Sequence, residues 1–507
     1  MSRHPSSTDG SKGLLFVNLG LWFSLVLAVG TALRLFRLGS KSFWLDEATS
    51  AVLAQADPAV FVGAIIHRQA NMVLYYLLLR GWLRLGSNEF VVRSLSVVAG
   101  VLAIPAIYLL GRRLFGRRAG RVAAILLSVH AFHIRYSQEA RAYSLSMLLA
   151  VVSSLLLLRC LERASRKSWL AYVLVSVLML YAQVFGGWVL LAQWFSVLLL
   201  RRGIHWKPFL CSAAAICFLL SPLAYCLLFV SDRSQLSWLA KPSPDDLYRF
   251  CLDMTGGGGP PLLWAYLVLV GVGIAVNVVR LRSEPDPGEI WKCRFLLIWL
   301  ILPIAIVVAI SLRWPMFEPR FLISCIPPLV LLASQTLAQI RGRVLFPATL
   351  LFLLGLSLNG IYSYYHARAD DQHTDDWRGA TRYVLSQAQE CDAVLFSYSE
   401  ERLAFDEYQR LLQMAGTSVH EFPEETELEL LTRRPSRPSS QLLDNIAAGY
   451  RRIWVISAFQ PNQTSRAAEA VLRSHFGEHS NRSFGFVHAD LFADRIVRYP
   501  NQEGACP

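Results

Sequence analysis

Charged residues are scarce in this chain. They make up 17% of its 507 residues, whereas 54% are hydrophobic, and the mean hydropathy is +0.39. A water-soluble chain of this length needs about a quarter charged residues to cover its surface. The shortage of charge therefore argues against an ordinary soluble protein and favours one that lies largely within a membrane.

The sequence also lacks the usual metal and nucleotide motifs. Its nine cysteines show neither metal-ligand spacing nor a disulfide framework, and only Cys251, Cys391 and Cys506 are expected outside the membrane, where a disulfide between two of them is left open. The run Gly256–Gly259 has no strand–turn–helix context and no Lys-Ser/Thr ending, so it is not a phosphate loop. It is either a simple linker or the hinge of a substrate-gating loop.

Long apolar blocks are what the chain has instead. A transmembrane helix needs about 20 such residues, and eleven blocks approach this length, of which the third, fifth and sixth are short. These blocks run over residues 14–33, 91–111, 121–134, 142–159, 169–183, 184–200, 208–230, 262–280, 295–312, 321–340 and 344–362. They predict a polytopic α-helical membrane protein with about eleven transmembrane helices.

Clusters of basic residues between alternate blocks predict the orientation. They are Arg112–Arg121, Arg159–Lys167, Arg201–Lys207, Arg280–Arg294 and Arg341–Arg343, and the opposite short loops are poorer in positive charge. Because basic loops stay in the cytoplasm, the amino terminus is expected inside and the carboxyl terminus outside. The outer side of the membrane is then the side that residues 366–507 are expected to face.

The net charge of +13 is unevenly distributed. From His366 onward the chain has 15 Arg, no Lys and 21 acidic residues, whereas the preceding part has 34 basic and 15 acidic residues. The positive charge therefore belongs to membrane loops. This excludes a nucleic-acid partner as the reason for the high pI.

Two regions are expected: a membrane region, 1–365, and a small outer α/β domain, 366–507. The outer domain should contain a helix at Trp377–Gln387 behind an Asp376 cap, strands at 393–398, 452–458 and 484–487, and a flexible loop at 433–440. Two outer loops, 34–90 and 231–261, are long enough to hold structure. Segments 59–66 and 73–85 of the first are amphipathic, as expected of helices that lie in the membrane interface.

Two adjacent carboxylates, Asp46 and Glu47, follow the first apolar block. They are flanked by Phe43 and Trp44 at the expected outer surface of the membrane, where unpaired carboxylates are costly. Such a pair fits a general base or a metal ligand, and the alternative is a solvated loop pair.

A second polar cluster lies in a short outer turn and contains Arg135, Gln138, Glu139, Arg141 and Tyr143. Arginine is disfavoured on this side of a membrane, so the guanidinium groups of Arg135 and Arg141 each need a partner. That partner is either Glu139 or a lipid phosphate, whose oxygens match the guanidinium fork. Arg320, with Glu318 two residues before it, repeats the pattern at another helix end.

At these motifs the sequence resembles the GT-C glycosyltransferases, specifically the bacterial relatives of protein O-mannosyltransferases and of the lipid A aminoarabinose transferase. The resemblance rests on the Asp46-Glu47 pair, Tyr75-Tyr76-Leu77-Leu78 with Arg93-Ser94-Leu95-Ser96, the turn 111–116, the segment 136–141, Glu318-Pro319-Arg320 and Asp376-Trp377-Arg378. Many relatives have His-Pro-Pro before the tyrosine pair, where this chain has Asn71-Met72-Val73. The histidine role is therefore not carried over, and Asn71, Tyr75 and Glu318 are assigned to the acceptor or to other contacts.

The resemblance implies an inverting transfer of a sugar from a polyprenyl-phosphate donor at the outer face of a bacterial inner membrane. Asp46 would deprotonate the acceptor hydroxyl, Glu47 would orient Asp46 or the acceptor, and Arg141 and Arg320, with Arg135, would hold the departing phosphate. A divalent metal assists some enzymes of this class and not others, so no cofactor is assigned. The acceptor is left open between a protein, a lipid and another glycan.

Two other functions remain as alternatives. A transporter or flippase for lipid-linked sugars would place charges in mid-membrane and break paired helices, whereas here the polar residues lie at the outer helix ends. An oligosaccharide ligase or polymerase would also need an arginine-rich outer site, and only the order of the motifs separates it from a transferase.

Overall fold

The structure is a computed structural model. It describes residues 9–163, 165–200, 205–232, 239–283, 287–366, 375–414, 419–458 and 463–495. The chain divides into two compact units. The first unit comprises Met1–Phe36, Ser96–Ser221 and Leu236–His366, and the second comprises Arg37–Leu95, Pro222–Gln235 and Ala367–Pro507. The first outer loop thus belongs to the same unit as the carboxyl-terminal segment, while the division at residue 366 stays a prediction of domain organisation.

Helices dominate the described residues up to His366. The α-helices are α1 (Asp9–Leu35), α2 (Leu45–Gln55), α3 (Pro58–Ala64), α4 (Val73–Trp82), α5 (Glu89–Phe115), α6 (Arg117–Ser128), α7 (Ala131–Ser137), α8 (Tyr143–Glu162), α9 (Arg166–Ala182), α10 (Gly187–Leu198), α11 (Trp206–Tyr225), α12 (Pro244–Met254), α13 (Pro260–Ser283), α14 (Pro287–Ser311), α15 (Ile326–Gln339) and α16 (Leu345–His366). Short 3₁₀ turns cover Ala70–Met72, Leu83–Leu85, Val184–Gly186 and Pro319–Cys325, and π-helical turns cover Ile65–Gln69 and Cys226–Val230.

Seven helices in the described part of the chain are long and apolar enough to cross a membrane, and two shorter apolar helices cover Gly20–Leu35 and Val184–Leu198. These helices make the protein a multi-pass membrane protein. The predicted count of eleven spans stays a prediction, because several of the expected blocks are short or interrupted helices.

The third apolar block, 121–134, shows such an interruption. Helix α6 ends at Ser128, and His130 adopts an extended conformation in which its side chain accepts a hydrogen bond from the His133 amide at the start of α7. A side chain that caps a helix satisfies an amide that has no partner within the helix, and it therefore fixes the break.

The run Gly256–Gly259 is packed within the first unit. Gly256, Gly257 and Gly259 have positive φ angles, which glycine adopts without strain. A Cβ atom on Gly258 would lie 2.5 Å from the carbonyl oxygen of Leu356 on α16. The run is therefore a close backbone contact with α16 rather than a simple linker, and a gating role stays a prediction.

The second unit contains a small α/β module. Its helices are α17 (Trp377–Gln387), α18 (Ser399–Leu411), α19 (Glu427–Thr432), α20 (Ser440–Gly449) and α21 (Gln463–His475), and its strands are β1 (Ala393–Phe396), β2 (His420–Phe422), β3 (Ile453–Ala458), β4 (Phe476–Phe484) and β5 (Val487–Arg495). The strand order is β2-β1-β3-β5-β4. Strand β1 is parallel to β2 and β3, and β5 is antiparallel to β3 and β4.

Most of the local predictions for this module are confirmed. Helix α17 has the predicted bounds, and Asp376 accepts a hydrogen bond from the Gly379 amide at its start. The predicted single strand at 484–487 is wrong, because Phe484 ends β4, Val487 begins β5, and residues 485–486 form the turn of the hairpin between them, where Gly485 has a φ of 64°. The polar sequence of β4 concealed the strand, since its side chains are largely exposed and lack apolar alternation.

The cysteine prediction can be checked in part. Cys391 is disulfide-bonded, whereas Cys251 is a free thiol. Cys506 lies outside the described residues.

Candidate active site

Asp46 lies in the first turn of α2, in the second unit, and is partly exposed. Its backbone carbonyl accepts a hydrogen bond from the Ser50 hydroxyl at 2.7 Å, one turn further along the helix. The next residue, Glu47, points into the protein and is 1% exposed. The two adjacent carboxylates therefore have different environments, because Asp46 is partly exposed and Glu47 is buried.

Glu47 forms a buried, two-pronged ion pair with Arg93 on α5. The Arg93 Nε and Nη2 atoms donate to the two carboxylate oxygens of Glu47 at 2.8 and 2.6 Å. The same guanidinium group donates to the carbonyl oxygens of Leu38, Lys41 and Ser42 at 2.8–2.9 Å. Arg93 thus fixes the whole segment that leads into α2, and Glu47 supplies the charge that keeps it there.

A second arginine holds the same segment from the carboxyl-terminal module. The Arg378 amide donates to the Ser42 hydroxyl at 3.1 Å, and its guanidinium donates to the Gly39 and Lys41 carbonyl oxygens at 3.4 and 3.2 Å. It also forms a 2.6 Å ion pair with Glu89 at the start of α5. The segment before Asp46 is therefore held by two arginines from distant parts of the chain.

Tyr408 on α18 completes this support. Its hydroxyl accepts a hydrogen bond from the Phe43 amide at 2.6 Å and donates to Glu89 at 3.0 Å. The Phe43 ring is fully buried, with the Arg93 guanidinium 5.3 Å from its centroid. Burial and the negative charge of Glu89 raise the pKa of Tyr408, so its hydroxyl stays protonated and remains a donor.

Further charged groups surround Asp46 in the second unit. Asp375, just before α17, is 7% exposed, and its pKa is raised to about 6 by burial and by the charge of Asp46. The pKa of Glu400 on α18 is also raised, first by burial, and the charge of Asp46 adds to that effect. Glu400 forms a 2.6 Å ion pair with Arg68.

Two residues assigned to the acceptor lie in the same unit. Asn71 stands in a 3₁₀ turn before α4, and its side-chain oxygen is buried with no hydrogen-bond donor among the described residues. Tyr75 is fully buried and packs edge-on against Tyr76, whose hydroxyl donates to Gln69. The acceptor role of both residues stays a prediction.

The first unit holds the predicted phosphate-binding residues. Arg135 pairs with Glu139 at 3.6 Å, one helical turn away. The side-chain Nε2 of Gln138 donates to the carbonyl oxygens of Arg34 and Phe36 at 2.9 and 2.8 Å, and the side-chain oxygen of Gln138 accepts a hydrogen bond from the Tyr364 hydroxyl. Gln138 therefore fastens the end of α1 to α7 and α16, which is a structural role.

Arg320 and Glu318 lie 3.4 Å apart at the 3₁₀ turn that precedes α15. The charges of Arg135, Glu139, Arg320 and Glu318 all act on Tyr136, so the two arginine motifs lie around one tyrosine. The Tyr136 ring also packs edge-on against the buried ring of Tyr143 at 5.1 Å.

Arg141 belongs to the same turn. Its side chain is 8% exposed, and its carbonyl oxygen accepts a hydrogen bond from the Ser96 hydroxyl of α5. Three arginines and two glutamates are thus concentrated at this part of the first unit. Guanidinium groups match the oxygens of a phosphate in charge and geometry, and a phosphate-binding role for these arginines stays a prediction.

Among the described residues, no group of three or more His, Cys, Asp or Glu side chains could hold a metal ion.

The residues that hold Asp46 in place were only partly visible in the sequence. Arg93 and Arg378 stood in recognised motifs without an assigned role, whereas Asp375, Glu400 and Tyr408 gave no signal. Their proximity to Asp46 depends on contacts across more than 300 residues.

The fold is that of the GT-C glycosyltransferases, as the sequence predicted. Crystal structures of ArnT from Cupriavidus metallidurans, one bound to undecaprenyl phosphate and one in the apo state, superimpose with TM-scores of 0.64 and 0.62. They share 11% sequence identity with this chain, and the superpositions include 93% and 94% of this chain and 98% of each ArnT chain. An oligosaccharyltransferase from Archaeoglobus fulgidus superimposes with a TM-score of 0.50 and 13% identity, over 92% of this chain and 73% of its own.

Sequence comparison points to the same class. Residues 69–226 match the family described as dolichyl-phosphate-mannose-protein mannosyltransferase. An undecaprenyl phosphate-alpha-4-amino-4-deoxy-L-arabinose arabinosyl transferase of Pseudomonas fluorescens is 25% identical over an alignment of 352 residues that covers 64% of this chain and 59% of the relative. The match thus spans about 59% of the length of that curated relative. The predicted resemblance to GT-C glycosyltransferases is confirmed.

Proposed function

We propose that the protein is an inverting glycosyltransferase that takes a sugar from a polyprenyl-phosphate donor and transfers it to a hydroxyl-bearing acceptor. The observation that carries the proposal is Asp46, a partly exposed carboxylate at the start of α2, held by Arg93 and Arg378 in a chain with the GT-C fold. The ArnT structure bound to undecaprenyl phosphate supports a donor of this lipid class.

The reaction is a single displacement at the anomeric carbon. Asp46 takes the proton of the acceptor hydroxyl as the hydroxyl oxygen attacks that carbon. The bond between the anomeric carbon and the phosphate oxygen breaks, and its electron pair leaves with the polyprenyl phosphate. Attack from the side opposite the leaving group inverts the anomeric configuration.

Separate groups serve the two ends of this displacement. Arg135, Arg141 and Arg320 of the first unit bind the departing phosphate and stabilise its growing negative charge. Glu47 acts through Arg93 as a positioning residue, because its carboxylate is buried and both of its oxygens accept hydrogen bonds from that guanidinium.

The proposal includes an orientation. The basic loops face the cytoplasm of a bacterial inner membrane, and the second unit works on the outer side. The disulfide at Cys391 supports an oxidising compartment for the carboxyl-terminal module.

A gene-deletion strain provides the test in cells. The wild-type gene should restore the glycoconjugate that the deletion removes, as judged by mass spectrometry, whereas Asp46→Asn should not, since loss of a general base typically costs about 10²–10⁴-fold in rate. Asp57→Asn is the matched control, because Asp57 is an exposed aspartate before α3 whose side chain caps no amide. Full restoration by Asp46→Asn would show that Asp46 is not the base.

A further inference from the structure

Asp375 is a buried carboxylate within electrostatic range of the proposed base, Asp46. The next residue, Asp376, caps α17, and its own amide donates to the Phe484 carbonyl oxygen at 3.2 Å. Three residues on, the Arg378 amide bonds to Ser42, in the segment that leads to Asp46. The backbone next to Asp375 is therefore fixed by the start of α17 and by the hydrogen bond to the segment before α2.

The Asp375 side chain makes no hydrogen bond or ion pair with any residue that the structure describes. Its electrostatic neighbours are Asp46 on α2 and Glu401 on α18, both of which carry carboxyl groups. A carboxylate that is 7% exposed pays a desolvation cost, and none of the described residues offsets this cost with a hydrogen bond or an ion pair. Such a group is suited to a hydrogen-bond donor that arrives with a ligand.

Among the acidic residues near Asp46, Asp375 is the one that is buried and has no hydrogen-bond or ion-pair partner among the described residues. Glu401 accepts hydrogen bonds from the Ala458 and Tyr398 amides at 2.8 and 3.0 Å, and burial raises its pKa to about 8. Glu400 is paired with Arg68. Asp46 is the proposed base, which leaves Asp375 as the carboxylate available to hold a neighbouring part of the acceptor.

The charges here also select the kind of acceptor. Among the described residues, the acidic groups Asp46 and Glu401 interact electrostatically with Asp375, and the nearby Glu400 is paired with Arg68. An acceptor phosphate would be repelled by these carboxylates, whereas a hydroxyl can donate a hydrogen bond to one of them.

We propose that Asp375 and Asp46 form a carboxylate pair that binds an uncharged, hydroxyl-bearing acceptor. Asp375 accepts a hydrogen bond from the acceptor and thereby places the reacting hydroxyl on Asp46. This inference rests on the proposed function and adds to it a binding residue and the absence of charge on the acceptor.

Purified enzyme provides the first test. The probes are radiolabelled undecaprenyl-phosphate-linked hexoses and pentoses as donors and membranes of the deletion strain as the acceptor source. Asp375→Ala should lower the rate at limiting acceptor by about 10–100-fold, the value for a lost hydrogen bond to a charged group, with the donor KM unchanged. Asp375→Asn, which keeps an oxygen acceptor, should be milder, and the exposed Asp444→Ala should match the wild type.

The dependence of the transfer rate on pH provides a second test, because a purely structural role of Asp375 would not change this dependence. At limiting acceptor the wild-type rate should rise with pH through about 6, as Asp375 loses its proton, and this rise should be absent in Asp375→Asn. Both Asp375 variants should also unfold at the same or a higher temperature, because removing a buried, unpartnered carboxylate relieves its desolvation cost.

The outcomes separate the two proposals. If Asp46→Asn transfers sugar normally in this assay, the proposed function fails. If Asp46→Asn is inactive but Asp375→Ala keeps the wild-type dependence on acceptor, only the role of Asp375 fails. An Asp375→Ala protein that is destabilised and loses donor binding as well, or a product in which the sugar is attached to a phosphate, would also overturn the inference.

Discussion

The ion pair between Arg93 and Glu47 can be tested by replacing either partner. Both side chains are almost fully buried, at 4% and 1% exposure, and Arg93 also satisfies three backbone carbonyls. Removing one member of a buried pair leaves the other charge unpaired and costs about 3–5 kcal/mol. With about 2–4 °C per kcal/mol for a folding unit of some 200 residues, Arg93→Met should lower the unfolding midpoint by about 6–20 °C.

A double-mutant cycle separates the charge from the packing. The double variant Arg93→Met with Glu47→Leu removes both charges together, so it should be less destabilised than the sum of the single variants. The assay is thermal unfolding in detergent, followed by the fluorescence of Trp377 and Trp454, which are buried in the second unit, with transfer activity measured in parallel. Arg84→Ala is the control, because Arg84 is an exposed arginine that precedes α5 and surface substitutions usually change stability by less than about 0.5 kcal/mol.

Activity adds a second expectation for the same variants. Arg93 fixes the segment that carries Asp46, so Arg93→Met should lose transfer at temperatures where it is still folded. An unfolding midpoint within about 2 °C of the wild type, or strictly additive effects of the two substitutions, would refute the reasoning.

Two further predictions concern the carrier and the orientation. Arg320→Ala should weaken undecaprenyl-phosphate binding about 10–150-fold by the loss of a charge-assisted hydrogen bond, and Arg320→Lys should have a milder effect because lysine keeps the charge but not the guanidinium fork. The control variant, Arg313→Ala at an exposed position, should bind as the wild type. Equal binding by all four proteins in native mass spectrometry would contradict a phosphate role. Alkaline phosphatase fused after Leu385 should be active, because the second unit is proposed to lie outside, and an inactive fusion with an active cytoplasmic reporter at the same site would reverse the orientation.

The sequence predicted those parts of the fold that depend on local pattern. Long apolar blocks identified a polytopic helical protein, and Asp376 followed by an amphipathic stretch identified α17 with its bounds. Strand β4 was missed because its side chains face solvent and do not alternate. The break before α7 was missed because His130 caps a helix inside an apolar block.

The candidate site was only partly predictable for a different reason. Asp46 and Glu47 stood out because adjacent carboxylates are costly beside apolar residues, yet nothing local distinguished the partly exposed base from its buried neighbour. That distinction comes from Arg93, 46 residues further along the chain. Asp375 had no signal at all, since its importance depends on contacts between α2 and the residues before α17.

Release of undecaprenyl phosphate by the purified enzyme is the most direct test of the central claim. With a labelled undecaprenyl-phosphate sugar and acceptor membranes, the wild type should release the free carrier phosphate and form a product of inverted anomeric configuration, as determined by NMR. Asp46→Asn should bind the donor but release about 10²–10⁴-fold less carrier. Retention of configuration, or undiminished release by Asp46→Asn, would contradict a single displacement with Asp46 as its base.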